Sequence, residues 1–370
     1  MFHTILTLSY LIPNLYLFLR IWQLFIPKRY RLLYVIIYAV LFSIYPLSNL
    51  FDDRNASAVA QIITAVANYL LPFFLYLFLF VLLSDLLLLV NLILRIIPRE
   101  KLRIEKFRNR VLLLIVCLSA LVVIAGIINF NTIRTSEYQV VIPRKSSNIE
   151  KLRIVFASDF HLQENTPVRF VRKFVKKIES INPDLMLYGG DMVEGDREDE
   201  KMKQFEDLLK GVKPRYGVYG VLGNHEYYAR QDRGTFLSNA GIEILRDTFV
   251  VAANSIVVAG RNDSQVRTRK SAGELMRIIP DSLPVILLDH RPTEMDQISR
   301  TSANIVFSGH THDGQLFPIN LITRRVYELS HGYMKKADIH FFVSSGIRLW
   351  GTPVRTAGKS EIVVVDVTFR

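Results

Sequence analysis

Apolar residues are distributed unevenly along this chain. Up to about residue 130 they form long runs, and beyond it they come in short bursts that end on glycine or a polar side chain. The long runs predict membrane spans at about 5–26, 32–50, 62–94 and 111–130. As a helix, 62–94 reaches roughly 50 Å, against a hydrocarbon core of about 30 Å, which is too short for two crossings and a turn. It is read as one helix kinked near Pro72, with its crossing part at about 70–94. Ile5–Ile26 lacks the basic leader and small-residue cleavage site of a removable signal.

The short bursts describe an α/β domain at 151–370, after a linker and edge strand (Tyr138–Ile142) at 131–150. Strands are predicted at Leu152–Ala157, Asp184–Tyr188, Gly217–Leu222, Ser255–Gly260, Pro284–Leu288, Asn304–Ser308, Ile339–Ser344 and Glu361–Phe369. Helices are predicted at Val168–Ser180, Glu198–Leu209 and Ser271–Ile278, the first capped by Thr166 and Pro167.

Charge sharpens the membrane reading. The net charge is +12, of which +7 falls in residues 1–137. Lys28, Arg29 and Arg31 follow the first span, Asp52, Asp53 and Arg54 the second, and seven basic residues from Arg95 to Arg110 the third. Basic loops stay in the cytoplasm, so both termini and the domain are expected outside it, in a multi-pass protein of the cell (inner) membrane. Asp85 lies inside the third span and is expected to pair with Arg20, the one charged residue inside another span. The soluble part has no basic stripe interleaved with aromatics, which argues against a nucleic-acid partner. The single cysteine, Cys117, excludes an internal disulfide or a Cys-built metal site.

Candidate chemistry collects where strands end. Asp159 and His161 follow the first strand of the domain, and Asp191 follows the second after Gly189 and Gly190. Asn224 and His225 follow the third, His290 a later one, and His310 and His312 the run that breaks at Gly309. Five of the eight histidines fall at such positions. In extended backbone, residues i and i+2 point the same way, so His310 and His312 are expected to face one point. Ligands in open α/β sheets gather at strand C-termini. An all N and O donor set suits Mn, Fe or Zn. Glu194, Asp196, Glu198, Asp199 and Glu200 read as a solvated acidic loop.

The pattern Asp159-x-His161, Gly190-Asp191, Gly223-Asn224-His225-Glu226, His290 and Gly309-His310-Thr311-His312 resembles the calcineurin-like metallophosphoesterase superfamily. With Ser345-Gly346, Pro353-x-Arg355 and the apolar N-terminal region, it resembles the membrane-anchored bacterial branch. The resemblance covers about residues 150–369. It implies a four-layer α/β/β/α sandwich and two divalent metal ions. Asp159, His161 and His312 would hold one ion, Asn224, His290 and His310 the other, and Asp191 would bridge them. It further implies that His225 contacts phosphate and protonates the leaving oxygen, while a metal-bridging hydroxide attacks phosphorus. The substrate class would be a phosphorylated small molecule or lipid. One departure is Asp313-Gly314, where this branch commonly has two glycines. Asp313 is expected to face solvent rather than to orient His312. The competing reading is a catalytically silent metal- or phosphate-binding membrane protein. It predicts missing ligands, and none of the seven is missing.

Overall fold

The structure, a computed structural model, describes residues 2–50, 57–195, 199–228 and 233–370, and for 2–8 the helix alone. Asp52, Asp53, Arg54, Asp196 and Glu198, which entered the reading above, lie outside the described residues. The chain divides into two compact units.

The first unit comprises Met1–Ile128 and a later stretch, Gly351–Thr356. Its helices are α1 (Phe2–Phe25), α2 (Arg31–Ser48), α3 (Ala58–Leu94), α4 (Arg99–Arg103) and α5 (Glu105–Phe130), which runs just past it. Among the described residues, three helical segments are long and apolar enough to cross a membrane: Lys28–Ser48, Ala58–Leu94 and Glu105–Phe130. About four were expected. The predicted first span forms α1 but is not one of these three. The region 62–94 is a single helix, as expected, and extends back to Ala58, where the Ser57 hydroxyl accepts from the Ala60 amide. Asp85 does pair with Arg20, through Nε at 2.7 Å, and also takes the Tyr16 hydroxyl. An ionisable pair inside apolar helices is thereby neutralised. The later stretch is held by backbone as well as side chains: the Arg355 amide donates to the Gly126 carbonyl at 3.1 Å, and Thr356 meets Tyr76.

In the second unit, the strands are β1 (Ile133–Ile142), β2 (Lys151–Ala157), β3 (Leu185–Tyr188), β4 (Val218–Gly220), β5 (Glu243–Ile244), β6 (Thr248–Ala252), β7 (Ile256–Gly260), β8 (Val285–Leu288), β9 (Ile305–Ser308), β10 (Gly332–Lys336), β11 (Ile339–Val343) and β12 (Ser360–Phe369). Interleaved are the helices α6 (Val168–Ile181), α7 (Glu200–Lys210), α8 (Asn224–Tyr228), α9 (Thr235–Asn239), α10 (Ala272–Arg277), α11 (Met295–Ile298) and α12 (Ile319–Val326). The strands build two six-stranded sheets, ordered β1-β12-β2-β3-β4-β5 and β10-β11-β9-β8-β7-β6.

Side-chain alternation produces the layers. On β2, Ile154 and Phe156 face the other sheet, while Val155 and Ala157 face α6 and α7. Between the sheets lie Phe156, Phe307 and Phe342, with ring centroids 5.0 and 5.2 Å apart in succession. On the far side of the second sheet, Val257, Ala259 and Leu287 pack against Ala272 and Leu275 of α10. Strands covered on both faces read as unbroken apolar runs, which is why β2, β8 and β9 stood out in the sequence. This is the expected α/β/β/α sandwich. Two local expectations fail. Thr166 does not cap α6, because its hydroxyl accepts from the Gln163 amide and holds the preceding turn. The helix α12 was not anticipated, because its apolar residues point outward.

Truncating Phe307, the middle ring of the stack, leaves a void between the sheets. Phe307→Ala is expected to cost about 3–5 kcal/mol, measured as a lower melting temperature of the purified full chain. An unchanged melting temperature would show that the stack carries no packing energy.

Candidate metal centre

The parallel strands β2, β3 and β4 of one sheet and β7, β8, β9 and β11 of the other end in loops that carry the polar residues singled out above. Two groups of donors gather there. Asp159, His161 and His312 form one, and Asp191, His290 and His310 the other. Asp191 also groups with His161 and His225, so it stands between the two. His310 and His312 therefore face different clusters, not one point. The extended-backbone argument fails because both residues have left-handed backbone, with φ of 71° and 52°. Asp159, His161 and Asp191 are left-handed too. Each strand stops and the next residues turn sharply, so turns rather than the pleat aim the side chains.

Asp159 and His161 are locked by neighbouring backbone. Their amides donate to the carbonyls of Gly190 and Asp191 at 2.9 and 3.0 Å. The Asp159 carboxylate accepts from the His310 amide at 3.0 Å, so the loops of β2 and β9 hold each other. Asp191 Oδ1 accepts from the His225 amide at 2.8 Å. Glu226, fully buried, ties the remaining loops together. Its carboxylate accepts from the amides of Asp191, Met192, Val193 and Gly223 at 3.0, 2.5, 3.3 and 2.7 Å. Burial, and then the Asp191 charge, push its pKa up to about 7 against the pull of these donors.

The arrangement of lone pairs fits cations. His290 Nδ1 lies 2.7 Å from the Gly189 carbonyl, an acceptor, so Nδ1 carries the hydrogen. The other nitrogen, Nε2, then faces Asp191 Oδ2 at 3.1 Å and Asn224 Oδ1 at 3.2 Å. In the neutral ring, three lone pairs converge and require a positive charge among them. Without a metal that charge is a proton: burial pushes the His290 pKa down, but the Asp191 carboxylate outweighs it and lifts it to about 10. In the other cluster, His161 Nδ1 is held by Glu194 and its Nε2 faces His312 Nε2 at 3.2 Å. Asp159 Oδ1 is 3.7 Å from the same His312 nitrogen. His310 stays neutral, its pKa pushed down to about 3 by burial and then by the charges of His290 and Arg291. Asp191 is buried, yet His290, His161 and His225 hold its carboxyl well below the usual range.

The main residue missed by the sequence reading is Glu194. It is not a solvated loop residue. One of its oxygens lies 2.5 Å from His161 Nδ1 and 2.6 Å from His225 Nδ1, so it fixes both rings. Burial opposes its ionisation, but the two imidazoles hold its pKa below the ordinary value. Its side chain reaches inward because Leu162 and Val193 form a parallel bridge beside it. The expectation for Asp313 also fails. It is buried, not solvent-facing, and its carboxylate receives Arg324 Nε and Nη2 at 3.2 and 3.1 Å. Outside the donor clusters, the rings of Tyr228 and Trp350 flank His225 at 5.5 and 6.2 Å. Ser345 and Gly346 back the β2 loop, where the Ile347 and Arg348 amides donate to the Ser158 and Asp159 carbonyls.

The clusters tolerate no added atoms at their glycines. A Cβ on Gly223 would lie 2.6 Å from the Asp191 amide nitrogen and closer still to its carboxylate. Gly223→Ala is therefore expected to displace Asp191 and to lower the metal content of the purified protein, measured by elemental analysis. Gly273→Ala, where a Cβ meets nothing within 4 Å, should leave it unchanged. Equal metal content in both variants would refute the placement of Asp191 between the clusters.

With this geometry in hand, likeness to known proteins is specific. The family described as calcineurin-like phosphoesterase matches residues 152–314. An uncharacterised metallophosphoesterase of Helicobacter pylori is 33% identical over 220 residues, covering 58% of this chain and 59% of its own length. One from Campylobacter jejuni is 31% identical over 280 residues, 71% of this chain and 72% of that one. A Danio rerio protein named transmembrane protein with metallophosphoesterase domain is 28% identical over 69% of this chain and 62% of its own. The chain thus spans about three-fifths of the Helicobacter and Danio relatives and nearly three-quarters of the Campylobacter one. On the strength of these matches and of the donor clusters they cover, the chain belongs to the metallophosphoesterase family.

Proposed function

We propose that this protein is a membrane-anchored, metal-dependent phosphoester hydrolase. The observation that carries this reading is the pair of donor clusters sharing Asp191, each with lone pairs converging. Asp159, His161 and His312 would hold one divalent ion, Asn224, His290 and His310 the second, and Asp191 would serve both. Two such ions supply Lewis-acid stabilisation of phosphoryl oxygens and a water acidified for attack at neutral pH.

The protein's own residues do the rest. His225 Nδ1 donates to Glu194, which leaves Nε2 to face a substrate. Burial disfavours its charged form, yet Glu194 and then Asp191 raise its basicity above the ordinary value. The raised basicity favours the protonated ring, which can give its Nε2 proton to a departing alkoxide. Glu194 also fixes His161, so proton donor and metal ligand keep a constant spacing. Glu226 holds the Asp191 and Gly223 loops and needs no contact with substrate. A phosphoester or diphosphate carried by a lipid is the favoured substrate, because only Asn131 and Thr132 separate α5 from β1. No other cofactor is invoked.

The basic stretch before α5 argues that the domain lies outside the cytoplasm of a cell bounded by this (inner) membrane, with α5 emerging at Phe130. A phosphatase reporter fused after Arg370 should be active in cells. Activity of a cytoplasm-only reporter at that position would reverse the orientation.

The hydrolase reading is tested with the purified full chain on p-nitrophenyl phosphate and bis(p-nitrophenyl) phosphate, with and without Mn²⁺. Metal-stimulated turnover is expected, with Asp191→Asn lowering kcat at least about a hundredfold and Glu194→Gln lowering kcat more than it changes KM. Metal binding without turnover of either ester would favour the silent binding protein instead.

A further inference from the structure

The helix α12 is turned inside out. In a surface helix of a water-soluble domain, the apolar stripe faces the core and the polar face meets water. Here Asn320 and Thr323 turn inward, and Arg324 ties back to the buried Asp313. The apolar residues point out: Ile319 is 42% exposed, Leu321 55%, Ile322 65% and Val326 70%, and Phe317 just before them is 49%. Five large apolar side chains within ten residues make a continuous outward patch, which marks a partner surface.

Its chemistry selects the partner. The patch is bordered by two exposed guanidinium groups, Arg324 and Arg325, and carries no acid between Phe317 and Tyr327. An apolar face with basic residues at its edge suits the boundary between acyl chains and anionic headgroups. Among the described residues, three helical segments are able to cross a bilayer, and two residues join the last of them to the domain. The domain is therefore covalently confined near a lipid surface. A second protein would have to compete with that surface at every encounter.

We propose that α12 and Phe317 form an interfacial element that lies in the headgroup zone of an anionic phospholipid bilayer. The helix follows directly from the loop of His310 and His312. Arg324 grips Asp313 of that loop, and the Tyr327 ring at the helix end is 6.4 Å from the His310 ring. Lipid contact at α12 would thus orient the metal centre relative to headgroup phosphates.

The test uses the full chain with Cys117→Ser, reconstituted in vesicles of phosphatidylcholine with phosphatidylglycerol. An environment-sensitive fluorophore is placed at Ile322→Cys, or at Val251→Cys on β6 as an exposed control, and lipids carry a nitroxide near the headgroup. Quenching at 322 and none at 251 is expected. Adding Arg325→Gln should weaken partition of the helix by about fivefold, read from the quenched fraction, with the melting temperature unchanged. An unquenched probe at 322 in a protein of normal melting temperature overturns the proposal. So does efficient disulfide formation between unlabelled Ile322→Cys copies, which would make a second copy the occupant.

Discussion

The candidate metal centre depends on one buried carboxylate. Glu226 sits where the loops after β3 and β4 meet and accepts four backbone amides from them. Those amides point inward because Asp191 must leave its strand in a left-handed turn, which strips Met192 and Val193 of ladder partners on that side. A buried amide without an acceptor costs about 1–3 kcal/mol. A single carboxylate that satisfies four at once therefore stabilises a backbone shape no sheet would adopt. It also lets Gly223 come within contact of Asp191. The donors of both clusters are aimed by that contact and by the Asp159 carboxylate, which performs the same service for the His310 amide.

The fold was legible in the sequence because its central strands are buried on both faces and so announce themselves as apolar runs. The seven candidate donors were noticed because aspartate, asparagine and histidine are conspicuous at the ends of such runs. What could not be read was direction. The pleat argument put His310 and His312 on one point, but consecutive left-handed residues overrode the strand period. Glu194 was hidden for a different reason: it stands in a stretch of acids, and nothing local separates it from them. Its role follows only from the distance between two histidines more than sixty residues apart, His161 and His225. Asp313 was misjudged because its partner, Arg324, lies in a helix whose apolar residues face the wrong way for sequence patterning to assign it to the domain.

Electrostatics decides where the candidate centre carries its protons. Without cations, the converging donors must hold protons, and His290 is the site where the field of Asp191 is strongest. Hydrogen bonds of the Nδ1 atoms to Gly189 and Glu194 fix the rings of His290 and His161 and leave each Nε2 facing the other donors. Glu194 also accepts from His225 Nδ1, so one carboxylate fixes both His225 and His161.

The order of strands in the first sheet has a bearing on biosynthesis. β12 lies between β1 and β2, parallel to one and antiparallel to the other. Ser136 and Glu361, bonded across β1 and β12, are 225 residues apart in sequence. Until β12 has left the ribosome, β1 has no neighbour and β2 has an open edge in the middle of its sheet. The domain must then pass through a stage in which a strand edge is exposed, the kind of edge that invites intermolecular pairing. Assembly of this sheet is thus a late event in folding, because it closes contacts far apart in sequence.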